Sequence, residues 1–433
     1  LKAAGSFAGA FVAAAPVAAA PAAAAASGAA PDGGALMRTV GSRVVAPAYR
    51  PVRIGLLLPQ SQLHPELAQS LLSGMRLALA QSSDQAGGRP IEIRSVPASV
   101  SPYRAAEQAR QLIAAEQIDL LVGFVGAKTA TLLEPLLQER QIPLIVNTIG
   151  ANVPRQASAS PYVVRNSLQQ WQSNWALGAW TADNVGARAV VASSFYESGY
   201  DTLYVFGQGF QSAGGAIIET HVTHRPDAPA DLAALMTAIK AARPDVVYAA
   251  YAGKMALSFA QAYAHAGLAG RIPLVTSPFM VDEQLLSKHG RAALNIRSGL
   301  SWSRQLQTPE NRAFLATYQA RTGQSADAFA VLGHDAGRLI VQALTTAGGE
   351  TRSERLVHAL GAASFVGPRG RVAVQPDIYD LATPLYVREV RRAGGMLSNT
   401  IIAELRAPAT AAVQADLASV SSKTGWANPY LCF

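Results

Sequence analysis

Cysteine is almost missing from this chain: one, Cys432, in 433 residues. A single thiol forms no internal disulfide and supplies no Cys/His metal spacing, and it leaves the redox compartment open. Charge is sparse as well. Asp, Glu, Lys and Arg make up 15% of the chain, with 36 basic against 28 acidic residues and a net charge of +8. Apart from one pair the basic residues stand singly, with no run interleaved with aromatics, which argues against a nucleic-acid partner. The Arg391–Arg392 pair precedes Gly394–Gly395 and reads as a hairpin turn.

Catalytic signatures are lacking too. There is no His-Glu-x-x-His, and Gly209 to Gly214 is one residue too long for a nucleophile elbow. Gly207-Gln208-Gly209-Phe210-Gln211-Ser212 has Ser212 where a dinucleotide fingerprint has glycine, and it falls inside a helix. His221, His224 and Asp227 are close enough in sequence to ligate a metal, but two surface histidines after a strand are the commoner case. No later stretch is long and apolar enough to span a bilayer.

What is present begins with an Ala-rich opening. Lys2 precedes an apolar stretch broken by Pro16 and Pro21, with Ala-x-Ala sites such as Ala24-Ala25-Ala26 before Ser27. That pattern predicts an export leader, cleaved to leave a mature start between Ser27 and Ala35, and a periplasmic location. No cysteine follows it, so lipid anchoring at a mature N-terminal Cys is not expected. Residues 1–48 read as leader and linker.

Pattern then starts abruptly. Val52 to Leu58, ended by Pro59, is a short apolar run of the kind buried on both faces of a parallel sheet. Helical spacing follows at Leu67, Leu71, Leu72, Met75 and Leu79. Strand and helix then alternate to Pro143-Leu144-Ile145-Val146, and the beat resumes after residue 170 as far as Pro273-Leu274-Val275-Thr276. Two such series predict an α/β protein with two doubly wound, Rossmann-like parallel-sheet lobes. Ligands of open parallel sheets sit at strand carboxyl ends. The loop Gly123–Thr129 leaves one such end and opens a helix; free amides with Lys128 beside them suit an anionic group, although a plain strand–helix turn reads the same way. Trp171, Trp175 and Trp180 share a helix, with Trp171 early enough to face a cleft.

Several stretches occur in a familiar order: Arg53-Ile54-Gly55-Leu56-Leu57-Leu58-Pro59, Ser73-Gly74-Met75-Arg76-Leu77-Ala78, Leu121-Val122-Gly123, Ile142 to Val146, Tyr162 to Ser167, Pro244 to Tyr248, and Gly333-His334-Asp335-Ala336. In that order they resemble the branched-chain amino-acid-binding family of type 1 periplasmic solute-binding proteins, over about Val52 to Ala403. The resemblance implies a monomer that binds a small polar or amino-acid-like ligand by hinge closure and hands it to an ABC permease, with no cofactor and no catalytic residue. It implies three crossings between lobes at 50–167 with 300–364 and at 168–299 with 365–405, leaving 406–433 as an extension without a place. It also implies ligand residues. Ala127, Lys128 and Thr129 would stand after Gly123, Thr148 and Gly150 in the next loop, and Tyr200, with Tyr196 second, and Tyr251 in the second lobe. Phe279 stands where the family often has an acid for an α-ammonium. A buried ammonium without a carboxylate is costly. The expectation is therefore an acidic or polar ligand end on Lys128 and Thr129, an apolar body under Tyr251 and Phe279, and weak binding of free branched-chain amino acids. A ligand sensor on the same scaffold and an α/β enzyme are the competing readings.

Overall fold

The computed structural model describes residues 50–154, 160–224, 229–420, 425–426 and 428–432. The expected leader and Asp227 lie outside the described residues. Among the described residues no helix is long and apolar enough to cross a membrane.

Two sheets form. The first has nine strands, in the order Ser364–Gly367, Gly370–Gln375, Asp380–Ala382, Val163–Ser167, Leu144–Thr148, Leu120–Phe124, Val52–Leu58, Arg89–Pro97, Gln85–Ala86. The second has seven: Met396–Leu405, Leu385–Ala393, Arg297–Leu300, Leu274–Thr276, Val246–Ala250, Arg188–Ser194, Ala216–Thr223. The centre of each is parallel. Leu120–Phe124 and Val246–Ala250 are buried at every residue, as strands covered on both faces must be. Gly394 and Gly395, at φ +56° and +84°, close the antiparallel hairpin after the arginine pair.

Each lobe uses glycine to bring two helices together. In the first, helix Leu67–Ala80 packs on Ala328–Thr346, and a Cβ on Gly74 would lie 1.9 Å from the Ala330 carbonyl oxygen. In the second, helix Gln170–Asn184 packs on Thr202–Ser212, and a Cβ on Gly209 would lie 1.8 Å from the Trp175 carbonyl oxygen. That contact accounts for the glycine in the discounted Gly207–Ser212 stretch.

The boundary expected at residue 365 is wrong. The strands between Ser364 and Ala382 complete the first sheet, with Asp380 pairing Arg165, so the third crossing falls at Thr383–Pro384. The first crossing lies between Ser167 and Gln170 and the second between Leu300 and Pro309. All three are tied together. Arg369, fully buried, pairs with Asp335 at 2.7 Å and donates to the Ser167 carbonyl at 2.6 Å and the Ser301 hydroxyl at 3.3 Å. The Gln169 side-chain oxygen accepts from the Thr383 amide at 3.0 Å and from its hydroxyl.

Candidate functional site

Residues that end or follow strands of both sheets, Ala127 and Thr148 from the first and Tyr200 from the second, meet at one cavity. On the first-lobe side, strand Leu120–Phe124 runs into helix Ala127–Arg140, whose N-cap Gly126 is extended and gives no side-chain cap. The first amides of that helix are thus left for another acceptor. The next strand ends at Thr148, whose hydroxyl accepts from the Gly150 amide at 3.2 Å. Gly150 holds φ +75°, and a Cβ there would meet the Ser167 hydroxyl at 2.3 Å, so this turn accepts only glycine without rearrangement. A cavity of about 400 Å³ opens here. Ala127, Lys128, Thr148, Gly150, Trp171 and Tyr200 line it, and it runs along the first lobe to Glu134, Arg165 and Asp380. Burial pushes the Asp380 carboxyl up to about 6, against the pull of Arg165.

The second-lobe side is aromatic. After strand Arg188–Ser194 a short turn carries Tyr196, Glu197 and Tyr200. Ser194 caps it, accepting from the Glu197 amide at 3.2 Å. Tyr196 and Tyr200 meet edge to face at 5.3 Å, with their hydroxyls 3.0 Å apart. After strand Leu274–Thr276 comes Phe279, buried and stacked at 5.7 Å on Phe329 of the first lobe, with the His64 ring edge-on to both. His64 Nδ1 lies 3.3 Å from Glu66 and 3.7 Å from Asp282. Burial opposes its charged form, but the Glu66 hydrogen bond and the two neighbouring acids raise it overall.

The C-terminal residues fill the space between these walls. The Trp426 amide donates to the Gly199 carbonyl at 2.9 Å and its indole N–H to the Tyr196 carbonyl at 2.8 Å. The Tyr430 ring lies edge-on to Tyr200 at 4.8 Å and to Phe279 at 5.9 Å, and parallel to Tyr196 at 6.2 Å. Its hydroxyl donates to the Glu197 carboxylate, 2.9 Å and 3.1 Å from the two oxygens. Glu197 is wholly buried; burial pushes its carboxyl up to about 7 while the Tyr430 hydroxyl pulls it down. The Leu431 amide donates to the Tyr196 hydroxyl at 2.9 Å, and its carbonyl accepts from the Ser61 hydroxyl in the first lobe. Cys432 is buried behind them, its thiol pushed up to about 12 by burial.

The expected residues therefore divide. Ala127, Lys128, Thr148, Gly150 and Tyr200 line one cavity, and Phe279 stands beside it in the aromatic cluster. Thr129 is buried outside the cavity wall. Tyr251 is in the second-lobe core, stacked at 4.6 Å on Phe259, with its hydroxyl 3.4 Å from that of Thr223. It is fully buried there. His221 engages Glu219 at 2.8 Å and His224 stacks on Phe195 at 5.7 Å. Glu197 was missed. Ser194-Phe195-Tyr196-Glu197 has the spacing of a capping box, which would turn the acid back onto its own helix start. The structure turns it into the cleft instead.

A family model described as periplasmic binding protein matches residues 51–395. The chain belongs to that family. Within it the chain is of type 1, the branched-chain amino-acid-binding kind. A Leu/Ile/Val-binding protein homolog 6 from Brucella melitensis is 27% identical over 361 residues, 82% of this chain and 91% of that one. A solute-binding protein of an ABC transporter from R. palustris, solved in complex with benzoate, is 30% identical over 83% of this chain and 98% of that one, with a TM-score of 0.70. Another from R. palustris, in complex with 4-hydroxybenzoate, is 27% identical over the same shares, with a TM-score of 0.73. This periplasmic binding protein is thus of the ABC-transporter type, a kind whose partners are a small-molecule ligand and a membrane permease.

Proposed function

We infer that this periplasmic binding protein captures a small aromatic carboxylate and delivers it to an ABC permease. One observation carries the reading: the cleft sets an uncapped helix start beside Lys128 against a wall of Tyr200 and Phe279. The first suits a carboxylate and the second a ring. Solved relatives holding benzoate and 4-hydroxybenzoate support it. In this reading Ala127, Lys128, Thr148 and Gly150 hold the acid end, and Tyr200 and Phe279 cover the body. Hinge closure about the three crossings traps the ligand, because ligand favours whichever state gives it contacts on both walls. The protein acts as an exported, leader-cleaved monomer and assigns no residue to catalysis.

Glu197 favours a second reading, an amino acid whose ammonium takes that carboxylate in place of the family's usual acid. Calorimetry separates the two. Benzoate should bind, and leucine, isoleucine and valine should not. Micromolar binding of any of the three amino acids, lost in Glu197→Gln, would establish the second reading instead.

A further inference from the structure

The proposed aromatic-acid reading leaves unexplained why the space between the walls already holds an aromatic ring of the protein itself. We propose that the buried Glu197 carboxylate, now paired with the Tyr430 hydroxyl, is the acceptor for a phenolic hydroxyl, that the ligand is a para-hydroxylated aromatic acid, and that Tyr430 is its tethered stand-in. The inference rests on the reading above and narrows it.

Three features of the geometry support this. Tyr430 carries a para-hydroxyphenyl group, and its hydroxyl already finds a buried acceptor in Glu197. A hydroxyl satisfies that carboxylate where a plain benzene ring would leave it buried and unpaired, and sites built around a hydrogen-bonded hydroxyl reject the analogue that lacks it. The segment also touches both lobes through one residue, Leu431, by way of Ser61 and Tyr196, as a trapped ligand must. Finally, the cavity beside Ala127 and Lys128 is continuous with the Tyr430 ring and is walled by Trp426, Asn428 and Pro429. A ligand with its acid end at the helix start and its hydroxyl at Glu197 overlaps the Tyr430 ring. Binding therefore requires that ring to leave, and the segment lowers apparent affinity by the fraction of molecules in which it is seated.

Cys432, the single cysteine of the chain, reports the event. It is buried while the segment is seated. The experiment follows thiol labelling of the full chain, with calorimetry in parallel, using 4-hydroxybenzoate and benzoate as probes. 4-Hydroxybenzoate should bind more tightly than benzoate and should accelerate Cys432 labelling, whereas most ligands protect buried thiols. Tyr430→Ala should raise affinity for 4-hydroxybenzoate by about tenfold or more, with Tyr430→Phe intermediate. Glu197→Leu, which removes the acceptor, should erase the preference for the hydroxylated acid. If both acids bind equally to wild type, if Glu197→Leu keeps the wild-type preference, or if binding leaves Cys432 as slow to label as before, the inference is overturned while the aromatic-acid reading stands. If neither acid binds to wild type or to Tyr430→Ala, that reading falls as well.

Discussion

The two walls of the cleft are built from different chemistry. Beside the helix start the first-lobe wall is backbone and one exposed cation, with helix-start amides, the Thr148–Gly150 turn and Lys128; Glu134, Arg165 and Asp380 lie further along it. The second-lobe wall is rings around one buried acid: Tyr196, Tyr200 and Phe279 with Glu197. The contrast teaches that the walls carry separate duties. Backbone donors can be presented at no cost to the fold, because they would otherwise face water. Rings and a buried carboxyl are part of the core, so in the proposed reading the residues that meet the ligand there also hold the protein together.

Substitutions test that division. Phe279→Ala removes a ring stacked between the lobes and should cost about 3–5 kcal/mol of stability, read from urea unfolding. A loss under about 1 kcal/mol would mean that this wall is no more structural than the other.

The buried acid should leave a signature in pH. Because the folded-state value of Glu197 lies near 7, above its ordinary 4.5, the folded chain holds a proton that the unfolded chain releases. Its contribution is full below about pH 4.5 and is lost as pH rises through about 7, an effect of about 3 kcal/mol. Asp327 and Asp380, each raised to about 6 by burial, act in the same direction at lower pH. The difference between wild type and Glu197→Gln isolates the first group. Its stability gap should change between pH 5 and 8, and a constant gap would contradict the burial of a titrating acid in the aromatic wall.

A smaller effect is expected at Gly199. Its φ of −83° suits any residue, but a Cβ there would lie 1.7 Å from the Trp426 indole nitrogen. Gly199→Ala should unseat Trp426 at a cost of about 1 kcal/mol, the scale of its hydrogen bonds, and speed Cys432 labelling without ligand. Unchanged labelling would show that the segment is held elsewhere. The smallest stability effect belongs to Lys128→Ala. It should fall within about 0.5 kcal/mol of wild type, while affinity for an aromatic acid drops about tenfold. A stability loss as large as that of Phe279→Ala would break the contrast between the walls.

Much of this was legible in the sequence. The apolar runs and helical spacings placed both parallel sheets, because strands buried on both faces have no polar alternation to confuse them. The strand-end rule brought Ala127, Lys128, Thr148 and Gly150 to one cavity. The third crossing was misplaced because Ser364 to Ala382 forms three short strands joined to the first sheet by one pairing, Asp380 with Arg165, which no local pattern encodes. Tyr251 follows a fully buried strand and stands in the second-lobe core, a place that the order of motifs does not reveal. The end segment had no readable place because its partners, Ser61, Tyr196, Glu197 and Gly199, lie hundreds of residues away. The one local hint was an aromatic cluster, Trp426 and Tyr430, closing an Ala/Ser-rich stretch.

In the proposed closure, the buried Arg369–Asp335 pair, which fastens the first two crossings while Gln169 fastens the third to the first, acts as a pivot pin. Chain that is already ordered has no configurational freedom left to surrender when the lobes turn. The heat released on capture should then reflect the contacts of the ligand and the displaced end segment, with little offset from stiffening at the pivot.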